Sequence, residues 1–275
     1  MACASKCLHR PNLIIRILLC FPLLFGTQLF SEILSIRRLF LKSNIERIHL
    51  LDFIRGVAII GMIVYHAAFN YTVFYNIDIS FLDTVLCEII RIMLALAFII
   101  IAGISTKLSQ RLILRGFTVV GAALIVSLVT FFLTPDLVIR FGILHFMGVA
   151  MLITALCKKV LVTIPRKIAL PLFAALFFIT KFLFPIRVDW EILFPFGLIS
   201  SNFMSADYYP LIPWIFAFFF GTYLTEPLIK HQAPQWVYYF KSPIVNFLGR
   251  HSLLVYLIHQ PILWALFWLS INIIS

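Results

Sequence analysis

Charge is what this chain has least of. Only 12% of its 275 residues are charged, against about 25% in soluble domains. With 63% hydrophobic residues and a mean hydropathy of +1.06, it has no room for a soluble domain. It reads as an integral membrane protein. Acids are scarcer than bases, 11 against 22, so the net charge is +11. No basic cluster is interleaved with aromatics in a polar segment, and no nucleic-acid partner is expected. Paired cysteines are missing too. Cys3, Cys7, Cys20, Cys87 and Cys157 are scattered and odd in number, which argues against a disulfide framework, and no metal-site spacing appears, so no metal is expected. A glycine-rich phosphate loop, an internal repeat and low-complexity tracts are also absent.

What the chain does have is long apolar runs. A window of about 20 residues separates seven candidate spans, near residues 50–71, 85–105, 112–133, 141–157, 168–184, 211–228 and 244–271. Residues 192–199 are apolar but too short to cross, and suit an interfacial or re-entrant piece. Residues 1–44 form an N-terminal extension whose apolar stretch, 13–30, is interrupted by Arg16 and Pro22. It reads as an accessory or interfacial helix, or as an extension from a start codon placed too early. The expected fold is therefore an all-α bundle of about seven core transmembrane helices over residues 45–275, plus this accessory hydrophobic segment.

Basic residues fall in alternate loops. Arg37, Arg38, Lys42 and Arg47 precede the first span, and Lys107, Arg111 and Arg115 follow the second. Lys158, Lys159, Arg166 and Lys167 follow the fourth, and Lys230 and Lys241 the sixth. The positive-inside rule makes that side cytoplasmic, for a multi-pass protein of the cell (inner) membrane. The opposite loops hold Asp78, Asp83, Asp136, Asp189, Glu191 and Asp207, with only Arg140 and Arg187 as bases.

One stretch organises the rest: RIHLLDFIRGVAIIGMIVYHAAFN, residues 47–70. At about 100° per residue, Arg55 and His66 return to nearly the same helix face, roughly 16 Å apart along the axis. Asp52 stands one turn before Arg55 and can pair with it, and Asn70 one turn after His66. A charge and an imidazole on one stripe of a membrane helix are expensive and usually functional. The bland alternative is an arginine that snorkels and a histidine that packs at a helix interface. Glu88 and Arg91 have ion-pair spacing. In RFGILHFMGVA, His145 lies near the outer surface, and packing serves it as well as chemistry does. In DYYPLIPW, Asp207 and two prolines shape an outer loop. In LGRHSLLVYLIHQP, Ser252, Tyr256 and His259 share a face, for which interhelical hydrogen bonding is the plainer reading. Pro261 is expected to kink this last span.

These motifs in this order, with IAGIST between the first and the second, resemble the bacterial relatives of the heparan-alpha-glucosaminide N-acetyltransferase catalytic domain. The likeness covers about residues 45–275. The first motif also resembles that of the wider membrane acyltransferase superfamily, in which an arginine, ten residues and a histidine mark the active helix; Arg55 and His66 match. The resemblance implies acyl transfer from cytoplasmic acyl-CoA, acetyl-CoA above all, to a carbohydrate or glycolipid acceptor at the outer face of the bilayer. It departs in one respect. The animal lysosomal enzyme is thought to use a histidine in the loop after its first core helix, and residues 71–83 here contain none.

On that reading His66 is the catalytic base, because imidazole titrates near neutral pH, or it accepts the acyl group itself. Arg55, helped by Arg111, Arg115 and Arg250, would hold the phosphates of CoA. Asn70, His145, Asp207 and His259 are the substrate-side candidates. A transporter, or a membrane assembly protein without catalysis, also accounts for buried ionisable groups.

Overall fold

The computed structural model describes residues 48–274; the accessory segment expected within residues 1–44 lies outside them. The chain is an all-α membrane protein. Helix α1 is His49–Tyr75, α2 Val85–Lys107, α3 Leu112–Leu133, α4 Ile143–Leu156, α5 Lys158–Thr163, α6 Arg166–Leu183, α7 Leu211–Ile229, α8 Trp236–Tyr239, α9 Pro243–Arg250 and α10 Ser252–Ile274. Two two-residue strands, β1 Ile186–Arg187 and β2 Leu198–Ile199, pair in parallel around a 3₁₀ turn at Glu191–Phe196. That turn and β2 together cover residues 192–199, the apolar piece expected to be interfacial or re-entrant.

Five helices are long and apolar enough to cross a membrane: α1, α2, α3, α7 and α10. The sequence predicts seven spans, and the two that differ do so for visible reasons. Helix α4 has 14 residues, about 21 Å by helix rise, short of a hydrocarbon core of roughly 30 Å. It starts late because the preceding residues are extended: Phe141 pairs with Tyr208, and the Tyr209 N–H donates to the Phe141 carbonyl (2.9 Å). Helix α6 has 18 residues and carries Arg166, Lys167 and Lys181. The last expected span is also divided in two. The chain breaks at His251, between α9 and α10, and α10 runs on through Pro261. The break lets α9 turn back onto the foot of α1. Asn246 Nδ2 donates to the His49 carbonyl there (2.9 Å).

Glycine allows two close helix crossings, as small residues do within membranes. A Cβ on Gly249 would lie 1.8 Å from the Asp52 carbonyl oxygen, so α9 touches the backbone of α1. A Cβ on Gly103 of α2 would lie 2.1 Å from the Phe218 carbonyl oxygen of α7. Around the second crossing the core closes on Ile99, Phe146 and Phe218, each with no exposed surface.

Packing partners fix the direction of each helix. Tyr65 meets Arg91 and Gly61 meets Leu94, so α1 and α2 are antiparallel. Ser127 meets His145 and Val120 meets Gly148, so α3 and α4 are antiparallel. Phe173 meets Phe219 and Phe177 meets Trp214, so α6 and α7 are antiparallel. His66 meets His259 and Phe74 meets Phe267, so α1 and α10 run parallel. The first and last long helices of the described chain thus lie side by side and point the same way.

Candidate functional site

The parallel seam between α1 and α10 collects the polar side chains. His66 and His259 face each other across it with ring centroids 5.1 Å apart. Nδ1 of His259 stands 2.5 Å from the Tyr256 carbonyl oxygen. A carbonyl only accepts, so Nδ1 carries the proton. The neutral ring then turns a bare Nε2 lone pair toward the seam. That Nε2 is buried and has no hydrogen-bond partner among the described residues. One turn further, Gln260 Nε2 donates to Asn70 Oδ1 (3.3 Å). Asn70 is 2% exposed, and its Nδ2, like Gln260 Oε1, is buried without a partner among the described residues. Whichever way the two amides are turned, one N–H donor and one carbonyl acceptor are left over. Buried polar atoms in this state cost about 1–3 kcal/mol each. Three of them lie within about a turn of the seam.

The outer loop reaches down to this seam. Tyr256, one turn below His259, donates its hydroxyl to Asp207 Oδ2 (3.4 Å). The same oxygen accepts the Ile143 N–H at the start of α4 (2.9 Å), where the helix dipole favours an anion. Burial pushes the Asp207 carboxyl above the usual carboxylate range, and these two donors only partly offset it. Burial likewise raises the Tyr208 and Tyr209 phenols. Arg91 lies over the Tyr65 ring at 5.9 Å and pairs with Glu88, the pairing expected from their spacing.

The predicted residues divide between the seam and other duties. His66, His259 and Asn70 meet at the seam, and Asp207 joins them through Tyr256. His145 does not: Gly142 N–H donates to its Nδ1 (3.3 Å), which leaves Nε2 to donate to Ser127 Oγ (3.1 Å). Both ring nitrogens are used in starting α4 and tying it to α3. Arg55 pairs with Asp52 (3.3 Å), as its spacing predicts, and reaches Ser105 Oγ on α2. Ser105 in turn donates to the Ile101 carbonyl (2.7 Å). Arg55 and His66 thus share a stripe of α1 but meet different helices. Arg111 and Arg250 are exposed, Arg115 is half-buried, and the Arg250 Nε–H donates to the Asn246 carbonyl (3.2 Å). Among the described residues no group of three or more His, Cys, Asp or Glu side chains is placed to hold a metal ion.

Residues 47–261 match the model of the family described as heparan-alpha-glucosaminide N-acetyltransferase, catalytic. The chain belongs to that family. Searches of curated proteins and of solved structures return no match. The matched stretch of this N-acetyltransferase family member ends at Pro261, so it takes in His66, Asn70, Asp207, Tyr256, His259 and Gln260. Sequence reasoning passed over Ser105 and Gln260 as site residues. Ser105 stands in IAGIST and Gln260 directly follows His259, so position within quoted motifs was the available signal. It read Arg91 and Tyr256 only as structural partners.

Proposed function

We propose that this family member transfers an acyl group from acyl-CoA, taken from the cytoplasmic side, to a hydroxyl or amine on a carbohydrate or glycolipid at the outer side. The observation that carries the reading is the facing pair His66 and His259, with one imidazole held in a single tautomer and its lone pair turned into the seam. His259 Nε2, or His66 opposite it, takes the proton of the acceptor as its oxygen or nitrogen bonds to the thioester carbonyl carbon. The carbon–sulfur bond breaks, and the imidazolium returns the proton to the departing CoA thiolate. Proton transfer of this kind contributes typically 10²–10⁴-fold. The spare N–H of the Asn70–Gln260 amide pair is placed to steady the carbonyl oxygen as charge gathers on it.

The other end of α1 suits the anionic part of the donor. Arg111 and Arg250 are exposed and Arg115 half-buried near the cytoplasmic helix ends, and Arg55 lies deeper, anchored between Asp52 and Ser105. Arginines are suited to phosphate recognition. The reading includes seven crossings, with α4 and α6 as the two short ones. The antiparallel pairs α1–α2, α3–α4 and α6–α7 are compatible with seven crossings, which would bring Lys107, Lys158 and Lys230 to one side.

The test uses the full chain in liposomes, with radiolabelled acetyl-CoA on one side and glucosamine on the other. Label should appear on glucosamine when acetyl-CoA is supplied to the face bearing the basic loops. Arg55→Ala should raise KM for acetyl-CoA, and Arg55→Lys should restore it only in part, because the guanidinium fork is lost. Absence of transfer from either face would overturn the reading.

A further inference from the structure

The IAGIST stretch of α2 carries a hydroxyl held in a fixed place. Gly103 sits against α7, where a Cβ would lie 2.1 Å from the Phe218 carbonyl oxygen. Thr225 of α7, with no exposed surface, donates its hydroxyl to the Ile104 carbonyl (3.0 Å). Thr106 donates back to the Gly103 carbonyl (2.7 Å). This end of α2 is therefore anchored on α7, whatever α1 does. Between the anchored positions stands Ser105, itself buried. Its hydrogen goes to the Ile101 carbonyl (2.7 Å), so toward α1 its oxygen only accepts. What it accepts is an N–H of the Arg55 guanidinium. The other terminal nitrogen of that group lies 3.3 Å from Asp52 Oδ1.

The pairing of α1 with α2 has other supports. Further along, Gly61 meets Leu94, and the Arg91 guanidinium lies over the Tyr65 ring. An arginine near a helix end commonly snorkels to the membrane surface. Arg55 is instead kept between two buried acceptors, one on its own helix and one on a helix fixed from behind. Two acceptors on separate helices set the plane of a rigid, forked cation.

We propose that Ser105 is a positioning residue for the acyl donor: its hydroxyl oxygen presets the Arg55 guanidinium for a phosphate of acetyl-CoA. The proposal rests on the acyl-transfer reading and deepens it by adding α2 to the donor end of the site. Ser105 touches no reacting atom and acts through Arg55. A cation ordered beforehand loses little side-chain freedom when the ligand arrives. His66 stands roughly 16 Å further along α1, so loss of the hydroxyl weakens capture of the donor and leaves proton transfer alone.

The test uses the full chain in liposomes, with glucosamine as acceptor and two donors, acetyl-CoA and acetyl-pantetheine. The second carries the same thioester and no phosphate. Ser105→Ala should raise KM for acetyl-CoA roughly tenfold, the worth of one hydrogen bond to a charged group, with kcat unchanged. Its kcat/KM for acetyl-pantetheine should equal that of wild type. Ser105→Thr, which keeps a hydroxyl, should restore KM for acetyl-CoA. In an Arg55→Ala background Ser105→Ala should add nothing, because the group it positions is gone. Equal losses with both donors, additive losses in the double variant, or failure of Ser105→Ala to fold would make the serine structural and overturn the proposal. So would a Ser105→Thr protein that unfolds at the wild-type temperature yet captures acetyl-CoA no better than Ser105→Ala. If Arg55→Ala treats the two donors alike, the phosphate role of Arg55 falls and this proposal with it, while acyl transfer stands. No turnover of either donor by wild type would remove the acyl-transfer reading itself.

Discussion

His66 on the first described helix and His259 on the last face each other at 5.1 Å, with the second ring oriented by the carbonyl of Tyr256. Two imidazoles this close at membrane depth are not needed to hold the helices together. Phe74 packing against Trp264 and Phe267 already joins α1 to α10 further along the seam. The pair is therefore where chemistry should fail first. His66→Gln and His259→Gln keep side-chain hydrogen bonding but take up no proton near neutral pH. Each should lower acyl transfer by roughly 10²–10⁴-fold while thermal stability in detergent stays close to wild type. The double variant should fall little further than the worse single one, because the two act as a unit. Wild-type rates in both would make the histidines packing residues.

The helix crossings predict opposite outcomes for one chemical change. Gly249→Ala puts a methyl 1.8 Å from the Asp52 carbonyl oxygen, and α9 must move off α1. Overpacking of this kind destabilises by about 1–3 kcal/mol or more. Gly121→Ala on α3 meets nothing within 4 Å. It should stabilise slightly, by roughly 0.5–1 kcal/mol, because alanine loses less backbone freedom in a helix. Thermal unfolding of both variants in one detergent checks the contrast; equal shifts would contradict the close crossing.

Asp207 gives a pH dependence with a definite sign. Its folded-state pKa is raised by burial, so its contribution to stability is full below the ordinary unfolded carboxylate pKa and is lost as pH rises through the folded value. Asp207→Asn should flatten that fall, and above it should narrow or reverse any gap in Tm from wild type. Unfolding temperatures measured from acid to neutral pH decide the matter. Parallel Tm profiles for the two proteins would rule out titration of Asp207.

Topology is open to direct measurement. Reporter fusions at Lys107, Lys158 and Lys230 should report cytoplasm, and fusions at Asp78, Asp136 and Asp189 the outer side, as the alternating basic loops lead one to expect. Two or more reversals would remove the seven-crossing arrangement, and with it the sidedness proposed for donor and acceptor.

The sequence carried the membrane class and the family resemblance, because apolar runs and motif order are local properties of the chain. It carried α4 and the last span less well. The length of α4 is set by Asp207 and Tyr208, which lie some 65 residues away and hold the chain extended until Ile143. The break at His251 follows from α9 docking on α1, whereas Pro261, the local signal, leaves α10 continuous. The site shows the same division. Spacing placed Arg55 and His66 on one stripe, but only tertiary packing sends the arginine to Ser105 and the histidine to His259. A histidine such as His145, with both nitrogens satisfied, looks in sequence just like one with a bare lone pair.

The seam has a consequence for biogenesis. Asn70 and Gln260 are 190 residues apart in sequence, and Tyr75 and Ser270 are 195 apart. Every contact across the seam therefore waits until α10 has been made. While α1 through α9 enter the bilayer, the α1 wall bearing His66 and Asn70 lacks its partner. Contacts between such distant positions form last and most slowly. The nascent chain thus carries no assembled His66–His259 pair until α10 has joined α1.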